Sequence, residues 1–501
     1  MKPEQRVDVI VIGGGGAGLA AASEARRAGC SVILLEKNAA LGGSTAWSIG
    51  SVTAINTPHQ RRAGITDSAD EHFDDLGLLA GKMASRDNLA LRRVLVDHSH
   101  ETFAWLMSLG LVFLGPMPEP PNRYPRMHNI VPNSRAFPYH LGRHCRKLGV
   151  DIRLGMAAKR LIEVDGRVIG VEVEAAGGDV QRIFANRAVI LAAGDYSGGA
   201  ALKRHFGSEL AARTDAVNRT NTGDGHAMAM ELGATVVNGD IIRGPVIRFV
   251  PPAHENLVQK LPPNTLVGQL VRWSMNVLPD WLLRPFIMSF ITTALGPEPL
   301  LYQEGAIIVN NKGERFTDEL ATPAMELPQQ PDGVGYIILD ARIARKFTAY
   351  PYFLCTAPGT AYAYLPDFRR NRRDIYVEAP DLASLAQALH MSPDVLERTV
   401  QASGKPLHEA PYVALGPIRS YVTLTDGGLK VTTDLQVLGR DERPIPGLYA
   451  AGATGQGGLL LYGHGHHLMW SFVSGRIAGR NAARNVNTEA PGNVSSGVPA
   501  L

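Results

Sequence analysis

Three glycines stand at the spacing with which a polypeptide can take hold of a phosphate: Gly13, Gly15 and Gly18, in the run Gly13-Gly14-Gly15-Gly16-Ala17-Gly18. In a G-x-G-x-x-G turn the first glycine reverses the chain and the second lets a pyrophosphate approach bare backbone. The third lets a helix pack close against a strand. A helix opening at Gly16 and Ala17 would offer unpaired N–H groups and the positive end of its dipole to the phosphates. Taken alone the pattern is weak, but it is followed, at the end of the next strand-like run, by Glu36, a carboxylate placed to bind a ribose hydroxyl. The chemistry indicated is dinucleotide binding.

Two further segments extend the contact. Glu36-Lys37-Asn38-Ala39-Ala40-Leu41-Gly42-Gly43-Ser44-Thr45 carries a Gly42-Gly43 turn and the hydroxyls of Ser44 and Thr45, suited to a cofactor that reaches past its pyrophosphate. The distant run Gly447-Leu448-Tyr449-Ala450-Ala451-Gly452 supplies a third surface. A first βαβ unit does not separate NAD from FAD; the additional segments select FAD.

These residues need a frame. Val7–Ile12 reads as a buried strand, 16–28 as an Ala-rich helix capped by Gly29, and Ser31–Glu36 as the second strand. Residues 70–110 read as helical. Val150–Phe184 alternates apolar and polar between turns at Asp165-Gly166 and Gly177-Gly178-Asp179, a β-meander, and 188–194 is again a buried strand. From 244 to 405 Pro-rich turns, helices and short strands suggest a second domain, so that 1–243 and 406–486 form the two parts of the first. A final helix spans 466–485, and the Gly/Pro/Ser/Asn-rich tail 487–501 reads as disordered.

The 501 residues exceed what one hydrophobic core supports. A net charge of +3 without a Lys/Arg run argues against nucleic acid as the main partner. Cys30, Cys145 and Cys355 are far apart, form no metal pattern, and fit a reducing compartment. The N-terminus lacks a signal-peptide layout, so a cytoplasmic location is expected. The most apolar region, 265–295, is interrupted by Arg272, Asp280, Arg284, Pro279 and Pro285 and does not read as a membrane span. It reads as amphipathic helices of the second domain, or as a lip facing lipid or substrate.

With Asn221-Thr222-Gly223-Asp224-Gly225, Gly305–Asn310, Gly313-Glu314-Arg315-Phe316 and Gly475-Arg476-Ile477-Ala478-Gly479 added, nearly the whole chain resembles the flavoprotein family of fumarate reductases, succinate dehydrogenases and 3-ketosteroid dehydrogenases. The resemblance implies an α/β fold: a Rossmann-type FAD-binding domain interrupted by an α+β capping domain, with the active site between them. It extends the cofactor contacts to Ala193, Gly194, Asp224, Gly452 and His467. Succinate-dehydrogenase-like members attach flavin to a histidine near the Gly-Gly turn; Ser44-Thr45-Ala46 has none, so the FAD is expected to be non-covalent.

Departures from the family pattern set the branch. Dicarboxylate reductases resemble one another in an N-E-x-T-x-R stretch whose arginine donates a proton, and they clamp a substrate carboxylate with an arginine before the last helix. Here Pro323 and Tyr462 stand at those positions. Tyr462-Gly463-His464-Gly465 is instead similar to the ketosteroid dehydrogenases, in which a phenol and a backbone N–H hold a ketone oxygen. That resemblance implies α,β-desaturation of a ketone, cyclic or steroid-like, with Tyr462 and Gly465 polarising the carbonyl. The family's cap tyrosine would fall near Pro323, which leaves the base to Tyr196, beyond a strand end beside Asp195, with Tyr302 in reserve. The β-hydrogen would pass as hydride to the flavin, and the electron acceptor is unspecified. His464, His466 and His467 are read as pocket or loop residues, with no metal. The competing expectation is the opposite flux, an ene-reductase, which an Arg-lined pocket would favour. A non-catalytic flavin-stabilised subunit is the third.

Overall fold

Val9 to Ile12 are buried on both faces of their strand, as a central parallel strand must be, and this strand is the axis of the first unit. The computed structural model describes residues 5–357 and 361–485. β1 (Gln5–Ile12) is followed by α1 (Gly16–Arg27) and β2 (Val32–Glu36), which pairs with β1 in parallel. β3 (Asp151–Leu154) extends the sheet beyond β2, and β4 (Val180–Leu191) lies parallel on the other side of β1. Strand Pro444–Ala450 then pairs in parallel with β4, so chain from both ends of the sequence meets in one sheet. The meander of Met156–Val164 and Arg167–Ala175 runs antiparallel into β4.

A second sheet is built around β9. β5 (Val246–Phe249), β7 (Gly335–Leu339) and β8 (Tyr376–Ala379) all pair antiparallel with β9 (Tyr412–Val422), and β6 (Ile307–Asn310) lies beyond β7. Its core gathers apolar residues from Phe249 to Ile418, whereas the first core draws on Val7 to Ala234 and Leu429 to Ala483. Residues 406–422, expected in the first unit, therefore include the central strand of the second. The apolar text of β9 does not say which sheet it joins. Among the described residues no helix is long and apolar enough to cross a membrane. The tail 487–501 lies outside the described residues.

One buried ionic network braces the wall beside the site. The guanidinium of Arg126 donates to both oxygens of Asp67, at 2.7 and 2.8 Å, and to Asp75 at 2.5 Å, with all three side chains out of water. Burial opposes ionisation of Asp75, but hydrogen bonds from Arg126 and Arg123 outweigh it and hold its carboxyl below the usual carboxylate range. Asp75 belongs to helix Ala69–Ala80, which also presents His72 to His466 at the start of the final helix (His466–Arg484). Removing the cation would strand the buried carboxylate of Asp67 and leave Asp75 with Arg123 alone. Arg126→Met should therefore lower unfolding stability by about 3–5 kcal/mol. Arg93→Met, at an exposed pair with Asp70, should cost only about 0–1 kcal/mol. Urea denaturation of the two holoprotein variants measures the contrast.

Candidate active site

The glycines of the first turn divide into two kinds. A Cβ on Gly13 would lie 2.2 Å from the Ala192 carbonyl oxygen, and one on Gly18 would lie 1.8 Å from the Gly13 oxygen. Both positions therefore serve the packing of β1 and α1 against the end of β4. A Cβ on Gly15 would meet nothing nearer than the Gly42 oxygen at 3.8 Å. Gly15 thus presents bare backbone to open space, opposite Gly43 at the head of α2 (Gly43–Trp47).

That space is a cavity of about 340 Å³ between the two units. Gly13, Gly15, Gly16, Ala17, Glu36, Lys37, Gly43, Ser44, Thr45, Ala193, Gly194, Asp224, Gly452 and His467 all line it. Gly18 and Gly42 do not: the first is packed against backbone, and the N–H of the second donates to the Gly14 carbonyl at 2.9 Å. Glu36 accepts from the N–H of Gly14 at 2.7 Å and from Asn38, which fixes its carboxylate at the cavity edge. Lys37 spans the cavity rim to Thr222 and Asp224 at 2.6 and 2.8 Å. Asn218 and Asn221 both donate to the Ser44 hydroxyl, and Asn221 also donates to Asp195, whose carboxyl burial pushes up.

The tyrosines fall elsewhere. Tyr196 is fully buried between Phe206 and His226, and its hydroxyl donates to the Gly239 carbonyl at 2.5 Å. Burial pushes its phenol well up, and the side chain does not reach the cavity, so its expected role as base is corrected to one of packing. Tyr302 lies in the core of the second unit with its phenol likewise pushed up by burial, and the reserve role goes with it. Tyr462 is half-buried with the Arg243 guanidinium 4.0 Å over its ring, and it does not line the cavity. Gly465 takes a left-handed conformation, with φ of 87°, as the cap of the final helix. A Cβ there would strike Thr53, whose hydroxyl donates to the His464 carbonyl. Gly465 therefore serves the turn that delivers the helix. Tyr196 follows a strand end in the sequence, and that signal does not distinguish a buried phenol from a presented one.

Of the histidines, His464 hydrogen-bonds Glu119 at 2.5 Å, and His466 faces His72 at 3.1 Å. His467 lines the cavity, its ring held well below the usual imidazole range by burial and by Arg243. Among the described residues no three His, Cys, Asp or Glu side chains group as metal ligands.

Sequence reasoning did not find the residues that shape the other wall. Arg248, on β5, lines the cavity together with Thr423 and Leu424 from the end of β9, and Trp47 and Ile49 line it from α2 and the residues after it. A charge inside the apolar text Val246-Ile247-Arg248-Phe249 was the available signal.

The donor set suits a flavin dinucleotide: a helix N-terminus with a bare glycine, a carboxylate at the second strand end, and a second helix whose His467, Leu468, Trp470 and Ser471 close the far side. Residues 8–252 and 287–462 match the FAD binding domain family. The chain belongs to that family. It is an FAD-dependent oxidoreductase. Its relatives include a probable fumarate reductase of Shewanella frigidimarina, 26% identical over 509 residues that take in 96% of this chain and 76% of the relative. The urocanate reductase of Eggerthella lenta is 26% identical over 517 residues, covering 95% and 74%. A vinyl phenol reductase of Lactiplantibacillus plantarum is 26% identical over 527 residues, covering 96% and 97%. Among solved structures, the open conformation of a flavocytochrome c3 fumarate reductase superposes with a TM-score of 0.71 at 24% identity, over 97% of this chain and 79% of the other. The 3-ketosteroid-Δ4-(5α)-dehydrogenase of Rhodococcus jostii superposes at 0.58 and 23%, over 96% and 98%. At these identities the structural likeness is one of fold.

Two measurements test this site. Gly15→Val should fold normally yet purify colourless, because its side chain occupies the space of the pyrophosphate; retention of yellow FAD at the wild-type ratio would refute the placement. The second concerns pH. His128, His226 and His466 are fully buried, and burial lowers their rings to about 3, 4 and 4 respectively. Unfolding frees each to bind a proton below its unfolded pKa near 6.5, so the unfolded state gains protons as pH falls. Stability should be full above about pH 6.5 and decline below it, by about 2 kcal/mol per histidine at pH 5. Urea unfolding at pH 7.5 and 5 measures the decline, and His128→Gln should flatten it.

Proposed function

We propose that this flavoprotein reduces a carbon–carbon double bond conjugated to a single carboxylate or carbonyl group on an otherwise apolar substrate. The carrying observation is Arg248, a cationic residue on a cavity lining that also includes Trp47, Ile49 and Leu424. Lys37, also on the lining, sits at the rim with Thr222 and Asp224. A guanidinium grips a planar oxygen pair with two parallel hydrogen bonds. By holding the activating group it also draws electron density from the conjugated bond and makes its far carbon electrophilic. Trp47 is 72% exposed and Ile49 42% exposed, an apolar ledge on the same lining on which the body of a substrate can rest. When bound, the flavin would supply the hydride to the far carbon, and the carbon beside the activating group would take its proton from solvent.

This reading is supported by relatives named for reducing fumarate, urocanate and vinyl phenol. Fumarate itself suits the cavity poorly, because a second carboxylate would meet the apolar ledge; Pro323 heads a partly exposed short helix away from the lining. Desaturation of a ketone, the reading from the resemblance alone, assigned its base to Tyr196 or Tyr302, and neither lines the cavity.

Anaerobic mixing of chemically reduced holoprotein with candidate acceptors tests the proposal. An aryl-substituted unsaturated monocarboxylate should reoxidise the flavin faster than fumarate does. Arg248→Leu should lower kcat/KM by about a hundred- to a thousandfold, while Trp47→Ala should chiefly raise KM. Bleaching of the oxidised flavin by a saturated cyclic ketone, with reduced enzyme inert towards every unsaturated acid and enone, would overturn it.

A further inference from the structure

The match to the FAD binding domain family breaks between 252 and 287. The break holds α3 (Leu257–Lys260), α4 (Thr265–Val277) and the first turns of α5 (Asp280–Ala294). In α4, Leu266, Leu270, Trp273 and Val277 recur at steps of four, three and four, the spacing that places residues on one face of a helix. Such a stripe ordinarily faces a core, yet here all four are more than half exposed, with Leu266 at 78%. The opposite side of α4 is the buried one, where Gly268 packs closely on Val112 and on the Val131 carbonyl. Trp281, Leu282 and Phe286 of α5 and Leu257 of α3 are exposed as well. Two of the five tryptophans of the chain thus stand in water on adjacent helices.

We infer that this face lies on the surface of an anionic phospholipid bilayer. α4 is about 20 Å long at 1.5 Å per residue, too short to cross a hydrocarbon core of about 30 Å, but suited to lying along its boundary. Tryptophan favours that boundary, since its ring is apolar and its N–H is polar. Charge selects lipid over a second copy of the chain. Between Asn256 and Ala294 stand Lys260, Arg272 and Arg284 against Asp280, and Arg284 is already paired with Asp367. A two-fold contact would set Lys260 and Arg272 against a patch of the same sign, whereas acidic headgroups complement them.

The face is also tied to the cavity mouth. Asn133 donates to the Val258 carbonyl of α3, Arg135 pairs with Glu255 and donates to the Gln259 carbonyl, and Ser134 donates to the Ala46 carbonyl beside Trp47. An apolar molecule leaving the lipid would meet the Trp47 ledge without a long passage through water.

Co-sedimentation of the FAD-loaded protein with phosphatidylcholine vesicles, with and without phosphatidylglycerol, tests this without any turnover. The protein should pellet with the phosphatidylglycerol vesicles, its tryptophan emission should shift to the blue, and brominated lipid should quench it. Leu270→Glu and Trp273→Glu should each weaken binding about tenfold or more and leave FAD content and turnover of a water-soluble acceptor unchanged. Wild-type protein that stays in the supernatant with both vesicle types, unquenched, would overturn the inference. So would undiminished binding by both variants. Light scattering that shows a dimer which Leu270→Glu converts to monomer would assign the face to a second copy instead. Brominated-lipid quenching needs only the wild type, so it decides the matter even where a variant misfolds.

Discussion

Two helices must pack backbone against backbone along one seam, and most of the structure follows from that demand. α1 and the final helix begin some 450 residues apart in the sequence, yet a Cβ on Gly475 would lie 2.3 Å from the Ala17 carbonyl oxygen, and one on Gly479 2.3 Å from that of Ala21. Together with Gly13 against Ala192 and Gly18 against Gly13, these contacts are backbone on backbone. They cost the entropy of several glycines and fix the distance between two dipoles aimed at one cavity. The parallel pairing of strand Pro444–Ala450 with β4 is what carries the C-terminal helix to that position.

The second unit has a different logic. It supplies the opposite wall, with the cation Arg248 and the residues Thr423 and Leu424. Arg248 pairs in register with Arg419, one on β5 and the other on β9, and the chain leaving β9 passes at once through Thr423 and Leu424. The cofactor half of the cavity therefore derives from loops at the ends of parallel strands, as in other open α/β sheets, while the opposite half is set by an antiparallel ladder.

The legibility of the sequence follows the same division. The βαβ unit, the glycine spacing, Glu36 and the final helix could all be read because each is fixed by local rules: period, caps, and turns that only glycine can make. Tyr196 misled because burial is not a local property. The same residue after a strand end could be presented or swallowed, and only Phe206, His226 and the Gly239 carbonyl decide which. Arg248 went unread for the converse reason, since a single charge in a short apolar strand looks like an edge residue until its neighbours are known. The expected boundary at 405 failed on β9, an apolar strand that fits either sheet by pattern alone.

The ladder has a mechanical corollary. Val246 is paired with Tyr421 and Phe249 with Ile418, so β5 and β9 move as one plate. Arg248 and the Thr423–Leu424 corner of the cavity wall are thus parts of the same rigid body. Under the function proposed above, an anion held at Arg248 would pull on that whole plate rather than on one side chain.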